Sequence, residues 1–193
     1  MDKEKYKPDC TGCRISQEKE EWLQQWGGII KLDGGWVINH YKIGFLGWVI
    51  LQPDNHRENW AELDQEEASA LGRNVQRIEK GMRQYWSLNF KSDLLGRVYV
   101  VYFCEFSTHL HIHIIPRPKS FEKLIVFTDA RSHDSVIENS TEKAFAWKTY
   151  LVHKCPDFPK DYKIYPVEKE QGYQKVNNLM TFLRSQLQQI STK

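Results

Sequence analysis

Between His109 and Ile115 an imidazole stands at every second place in the run His109-Leu110-His111-Ile112-His113-Ile114-Ile115, with Pro116 closing it. A period of two belongs to an extended strand, whose successive side chains face opposite sides of a sheet. The run therefore predicts a β-strand that anchors Leu110, Ile112 and Ile114 in a core and presents His109, His111 and His113 on its other side. Neutral imidazoles must find hydrogen bonds or water when buried, so three on one face point to chemistry more than to drift. Two uses fit the spacing. His109 and His111, at i and i+2, can bind one metal ion, as strand-borne pairs do in catalytic zinc sites. Alternatively the central histidine attacks phosphorus while its neighbours orient it and handle protons. A solvated face that is histidine-rich by chance is the plain alternative.

The rest of the chain supplies a sheet and its cover. Ser16 is placed to cap a short helix reaching Trp26, with Trp22, Leu23 and Trp26 on one face and Gly27-Gly28 ending it. Three β-rich runs follow, Ile29 to Leu32, Trp36 to Asn39 and Phe45 to Leu51, punctuated by Asp33-Gly34-Gly35 and Gly44 as in an antiparallel meander. From Asn59, with Glu62 as its capping-box partner, the residues Leu63, Leu71, Val75, Ile78, Met82 and Tyr85 recur at helical spacing, which predicts a long amphipathic helix to about Trp86. Val98 to Phe103 reads as a further strand. Beyond Pro118, Thr141 to His153 and Val167 to Ile190 read as helices, with a loop at Cys155 to Pro159 between them. Strands followed by packed helices give an α+β fold: an antiparallel meander sheet of about five strands, a long amphipathic helix and additional C-terminal helices.

Size and charge narrow the class. A chain of 193 residues is long enough for one domain with a substantial core. An apolar fraction of 40%, with seven Trp, nine Tyr and nine Phe, lets burial offset chain entropy without disulfides. A formal net charge of +2 gives no electrostatic footprint for duplex nucleic acid, yet leaves a small phosphorylated ligand open. No apolar run has the length of a membrane span, and the amino terminus lacks the apolar stretch of a signal peptide, so a soluble, cytoplasmic protein is expected. In that setting Cys10 and Cys13 read as thiols or metal ligands before they read as a disulfide framework.

The triad run satisfies the His-φ-His-φ-His-φ-φ signature of histidine-triad (HIT) proteins, where φ is hydrophobic, and Pro116-Arg117 after it is common there. Upstream, Gly47-Trp48-Val49-Ile50-Leu51-Gln52-Pro53 followed by His56 resembles the strand and turn that lead into the family's long helix. The resemblance covers roughly residues 10 to 118. It implies a dimeric α+β domain over 1–118, with 119–193 as a helical extension packed on it. It also implies cleavage or transfer of nucleoside monophosphates from dinucleoside polyphosphates, phosphoramidates or nucleotide sugars. Carried onto this chain, His111 becomes the nucleophile that forms a nucleotidyl-histidine, and His113 lies beside the phosphate and the leaving oxygen. Asn39 falls where many members place a ribose contact, and Ser107 and Thr108 become donors to phosphate. Imidazole suits covalent catalysis because its neutral form is available near pH 7.

Several bacterial HIT proteins, and the related galactose-1-phosphate uridylyltransferases, hold a structural zinc through an amino-terminal Cys-x-x-Cys, a histidine before the long helix and the first histidine of the triad. Cys10, Cys13, His56 and His109 match those places in order. A Cys2His2 set gives the closed coordination expected of a structural ion.

Some residues depart from the family or stand outside its pattern. Many HIT hydrolases carry a further histidine where this chain has Trp48, and a Gln near the position of Glu105, whose carboxylate would repel a phosphate. His40, His133 and His153 read as surface or capping residues, Cys104 as a small buried hydrophobe in a strand and Cys155 as a loop thiol. Trp36, Tyr41, Phe45 and Trp48 could stack on a base, though aromatics at strand positions are more often core. Two alternatives to nucleotidyl transfer stay open: zinc catalysis on the His-x-His strand, and a nucleotide-binding module without catalysis.

Overall fold

The computed structural model describes residues 6–42, 46–102, 104, 107–119 and 169–188. Its centre is a five-stranded antiparallel sheet of β1 (Ile29–Leu32), β2 (Trp36–His40), β3 (Val49–Pro53), β4 (Leu95–Val101) and β5 (Ile112–Pro118). The spatial order is β1-β2-β3-β5-β4. The first three strands form the expected meander. Helix α2 (Gln65–Asn89) then separates β3 from the edge strand β4, and β5 returns between them.

Alternation gives the sheet two covered faces. On one side Trp36, Ile38, Val49, Leu51, Ile112 and Ile114 meet Ala70, Ile78 and Met82 of α2 and Val176, Leu179 and Leu183 of α3 (Lys169–Gln188) in the main core. On the other side Ile29 and Val37 join Leu23 of the amino-terminal leader in a smaller cluster. Burying such a side chain stabilises by roughly 1.5–3 kcal/mol, whereas ordering each residue costs about 1–2 kcal/mol of backbone entropy. The small cluster alone therefore cannot hold the leader down.

Several elements begin or end elsewhere than the sequence predicts. Ser16 closes a first short helix, α1 (Thr11–Ser16), instead of capping a second, and a 3-10 turn over Glu21–Trp26 follows, ended as expected by Gly27. The Ser16 hydroxyl is spent on the sheet, where it donates to the Pro53 carbonyl and accepts from Gln52. Asn59 caps only a 3-10 turn, Trp60–Glu62, and α2 starts five residues later, where Asp64 and Glu67 form the reciprocal capping box. β3 begins at Val49, after a turn through Gly47 at φ +87°. β4 starts at Leu95, three residues before the expected Val98. β5 starts at Ile112, not His109, and runs through Pro116 to Pro118. Proline is tolerated there because β3 pairs with β5 only up to Ile114; Pro116 faces Val98 of β4 and has no second strand to donate to. The helix predicted at 141–153, the loop at 155–159, and Phe45, Phe103, Glu105, His133 and His153 lie outside the described residues. Among the described residues no helix is long and apolar enough to cross a membrane.

Candidate functional site

The residues before β5 are held by side chains, not by a ladder. The Leu110 amide donates to the Arg57 carbonyl at 2.6 Å, and the His111 amide donates to Cys104 Sγ at 3.2 Å. His109 turns toward the leader. Its Nδ1 lies 3.5 Å from Cys10 Sγ and 3.6 Å from Cys13 Sγ, and His56 Nδ1 lies 3.3 Å from Cys13 Sγ. One donor atom from each of Cys10, Cys13, His56 and His109 falls within 4.8 Å of every other, so the four could hold a metal ion.

Local structure explains the convergence. Cys10 stands at the N-cap of α1 and Cys13 in its first turn, so one helical turn brings both thiols to the same side. Gln52 of β3 donates to the Gly12 carbonyl at 2.7 Å and pins that turn to the sheet. Gly12 gives the His109 ring its room: a Cβ there would come within 2.7 Å of His109 Nδ1. Both histidines are oriented from behind. His109 Nε2 donates to the Pro53 carbonyl at 3.0 Å and His56 Nε2 to Glu58 at 3.2 Å, which places each lone pair on Nδ1, toward sulfur.

Burial sets the protonation of this cluster. It pushes the Cys13 thiol up to about 11, with the neighbouring Cys10 adding to the rise and the Lys7 amide opposing it. Burial also pulls His109 down to about 4, against the raising effect of its bond to Pro53. A buried neutral imidazole is ready to ligate; a buried thiol needs a cation beside it to give up its proton.

His111 and His113 form a separate pair, their rings 5.2 Å apart and roughly perpendicular. His111 is half-buried, and its Nδ1 donates to the His109 carbonyl at 2.8 Å, so the ring's lone pair sits on Nε2. His113, on β5, is 1% exposed and accepts at Nδ1 a 3.0 Å hydrogen bond from the Trp48 indole. The three imidazoles thus divide into one that faces the thiols and two that face each other. Among the described residues His111 is not part of a metal-ligand group.

The remaining predicted residues are placed as follows. Asn39 is buried, donates to the His40 carbonyl, and is paired with Ile50, which in turn faces His113 across β3 and β5. The Ser107 hydroxyl accepts from the His109 amide at 3.3 Å, and Thr108 is exposed. Two readings need correction. His40 is neither at the surface nor a cap: it is fully buried, stacks on Trp26 and accepts the Gly47 amide. Cys104 is not a strand hydrophobe but is half-exposed at φ +46°, with its sulfur 3.4 Å from His111 Nδ1. Trp36 is core, its indole donating to the Glu67 carbonyl. Gly12, Gln52, Glu58 and Cys104 are site residues that sequence reasoning missed, because each acts through a neighbour distant in the chain.

No protein-family model matches the sequence, and no curated protein does. Solved structures share the fold. One is a Hit-like protein involved in cell-cycle regulation from Bartonella henselae, 13% identical, with a TM-score of 0.54 over 94% of this chain and 99% of the other. Another is a hypothetical histidine triad nucleotide-binding protein from Sulfolobus tokodaii, 19% identical, with a TM-score of 0.51 over 92% of this chain and 91% of the other. The fold is therefore HIT-like.

Proposed function

We propose that this protein is a nucleotide hydrolase or nucleotidyltransferase in which His111 attacks the α-phosphorus of a nucleotide. The observation that carries the reading is the bond from His111 Nδ1 to the His109 carbonyl, because it leaves the attacking lone pair on Nε2 of a half-buried ring. In the first step the Nε2–P bond forms and the bond from phosphorus to the leaving group breaks. Water or another acceptor then takes the nucleotidyl group and frees the imidazole. Asn39 meets the ribose, while Ser107, Thr108 and His113 donate to phosphate oxygens.

In this reading Cys10, Cys13, His56 and His109 hold a structural Zn2+. Zn–S and Zn–N bonds of about 2.3 and 2.0–2.1 Å at a tetrahedral angle separate S from N by about 3.5–3.6 Å. The S···N separations here run from 3.3 to 3.6 Å. An ion closed in by four protein ligands supplies folding energy and no reaction step.

The test is incubation with dinucleoside polyphosphates, nucleoside phosphoramidates and nucleotide sugars, with alkaline quenching and mass spectrometry of the His111 peptide. At least one substrate should yield a nucleotidyl adduct on His111, and His111→Asn should abolish it while the thermal midpoint is kept. Nucleotide binding with neither adduct nor turnover on any member would leave a binding module instead.

A further inference from the structure

Trp48 stands where many HIT hydrolases carry a histidine, and its surroundings give the replacement a specific consequence. The chain leaves the Gly47 turn at φ +87°, where an added Cβ would meet the Trp86 ring and Pro116. Trp48 follows at once, and Ile50, two residues on, pairs with His113. Trp48 and His113 are thus diagonal neighbours across β3 and β5. The Tyr41 ring closes the remaining side, 5.1 Å from Trp48 and 5.6 Å from His113. Trp48 is fully buried and donates to His113 Nδ1 at 3.0 Å.

An indole N–H donates and never accepts. His113 Nδ1 must therefore carry the lone pair, and the proton of the neutral ring is on Nε2. A histidine in place of Trp48 could exchange the two roles; tryptophan cannot. We propose that Trp48 is a positioning residue that fixes His113 as a neutral ring donating through Nε2, which suits the site to substrates whose leaving group departs as a stable anion. The proposal rests on the reading of His111 as nucleophile.

The chemistry follows from that fixed role. His111 Nε2 supplies the electron pair for the N–P bond, and the pair of the breaking bond goes to the leaving group. His113 Nε2–H stabilises the charge on the departing or equatorial oxygen but keeps its proton, since surrendering it would leave an imidazolate. A phosphate or nucleotide can leave unprotonated. The amine of a phosphoramidate needs a proton that this His113 does not provide.

Two measurements on the full-length protein decide the matter. In ring-15N-labelled wild-type protein, a scalar coupling across the hydrogen bond between Trp48 Nε1 and His113 Nδ1, with His113 protonated at Nε2, is expected; protonation at Nδ1 overturns the proposal. Single-turnover labelling of His111 is then compared between a dinucleoside polyphosphate and a nucleoside phosphoramidate. Wild-type protein should react with the first at least about tenfold faster, and W48F should lose about tenfold or more of that rate with substrate affinity held within about threefold. W48H should restore most of it. Equal rates for W48F and wild type, or an equal or faster reaction with the phosphoramidate, overturn the proposal. Should W48F fail to fold, the wild-type coupling and substrate preference still decide. If the expected coupling is present but neither substrate labels His111, the nucleophile reading falls, the substrate preference falls with it, and the assignment of the His113 proton stands.

Discussion

A methyl group at residue 12 would have nowhere to go. Its carbon would fall within 2.7 Å of both Cβ and Nδ1 of His109, and that ring cannot retreat because Nε2 is tied to the Pro53 carbonyl. Ala is the better helix former by about 1 kcal/mol, so local propensity favours Gly12→Ala while the cluster opposes it. The clash should win, and metal affinity should fall by about 10- to 100-fold, the usual cost of disturbing a ligand's support. Titration against a chromophoric chelator measures this, and wild-type affinity in the variant would contradict the packing argument. At this scale the sequence is legible in residue types and blind to room. Cys10, Cys13, His56 and His109 stand out by chemistry and order, whereas nothing local in Cys-Thr-Gly-Cys says that its glycine faces a histidine from β5's approach. Alternation alone also sets three imidazoles side by side; the thiols, which alternation does not see, take His109 away from the other two.

Elements show where a local rule has two solutions. Asn59 with Glu62 and Asp64 with Glu67 both satisfy the capping-box pattern, and only the second starts α2. Burial makes the choice: Glu67 is 2% exposed and accepts from Arg57 Nε at 2.8 Å and from Asn55 at 3.1 Å. Arg57 in turn offers its carbonyl to Leu110, so the cap of α2 and the approach to His111 share one anchor. Asp64, half-exposed, contributes a cap alone. Asp64→Ala should cost about 1 kcal/mol, and Glu67→Ala about 3–5 kcal/mol, because it strands a buried guanidinium. Urea denaturation ranks the two, and equal effects would mean that the Arg57–Glu67 pair is not the anchor. The core strands are legible because Val, Ile and Trp alternate through them. Their ends are not, since β5 starts only where side-chain bonds release the backbone, and it passes Pro116 only because β3 has already stopped.

For the whole molecule, the metal cluster is what fastens the leader to the working face of the sheet, and its protons make that fastening visible. Consider first the protein stripped by a strong chelator. His109 stays neutral in the fold down to about pH 4, while an imidazole in the unfolded chain takes its proton near 6.5. Below 6.5 the unfolded state binds the extra proton, so stability falls with pH until about 4, by roughly 3 kcal/mol. Cys13 acts in the opposite sense. Its thiol persists in the fold to about 11, but an unfolded cysteine ionises near 8.5, so stability is full below 8.5 and is lost as pH rises toward 11. The stripped protein should thus be most stable between about pH 6.5 and 8.5, with a decline on each side. Returning Zn2+ replaces the Cys13 proton with a metal bond, so the alkaline decline should disappear, and the acid decline should steepen as protons compete for several ligands at once. Thermal midpoints across pH, with and without the ion, test this; an alkaline limb of the same depth in both would mean that Cys13 does not ligate and that the leader is held by Gln52 and the small apolar cluster instead.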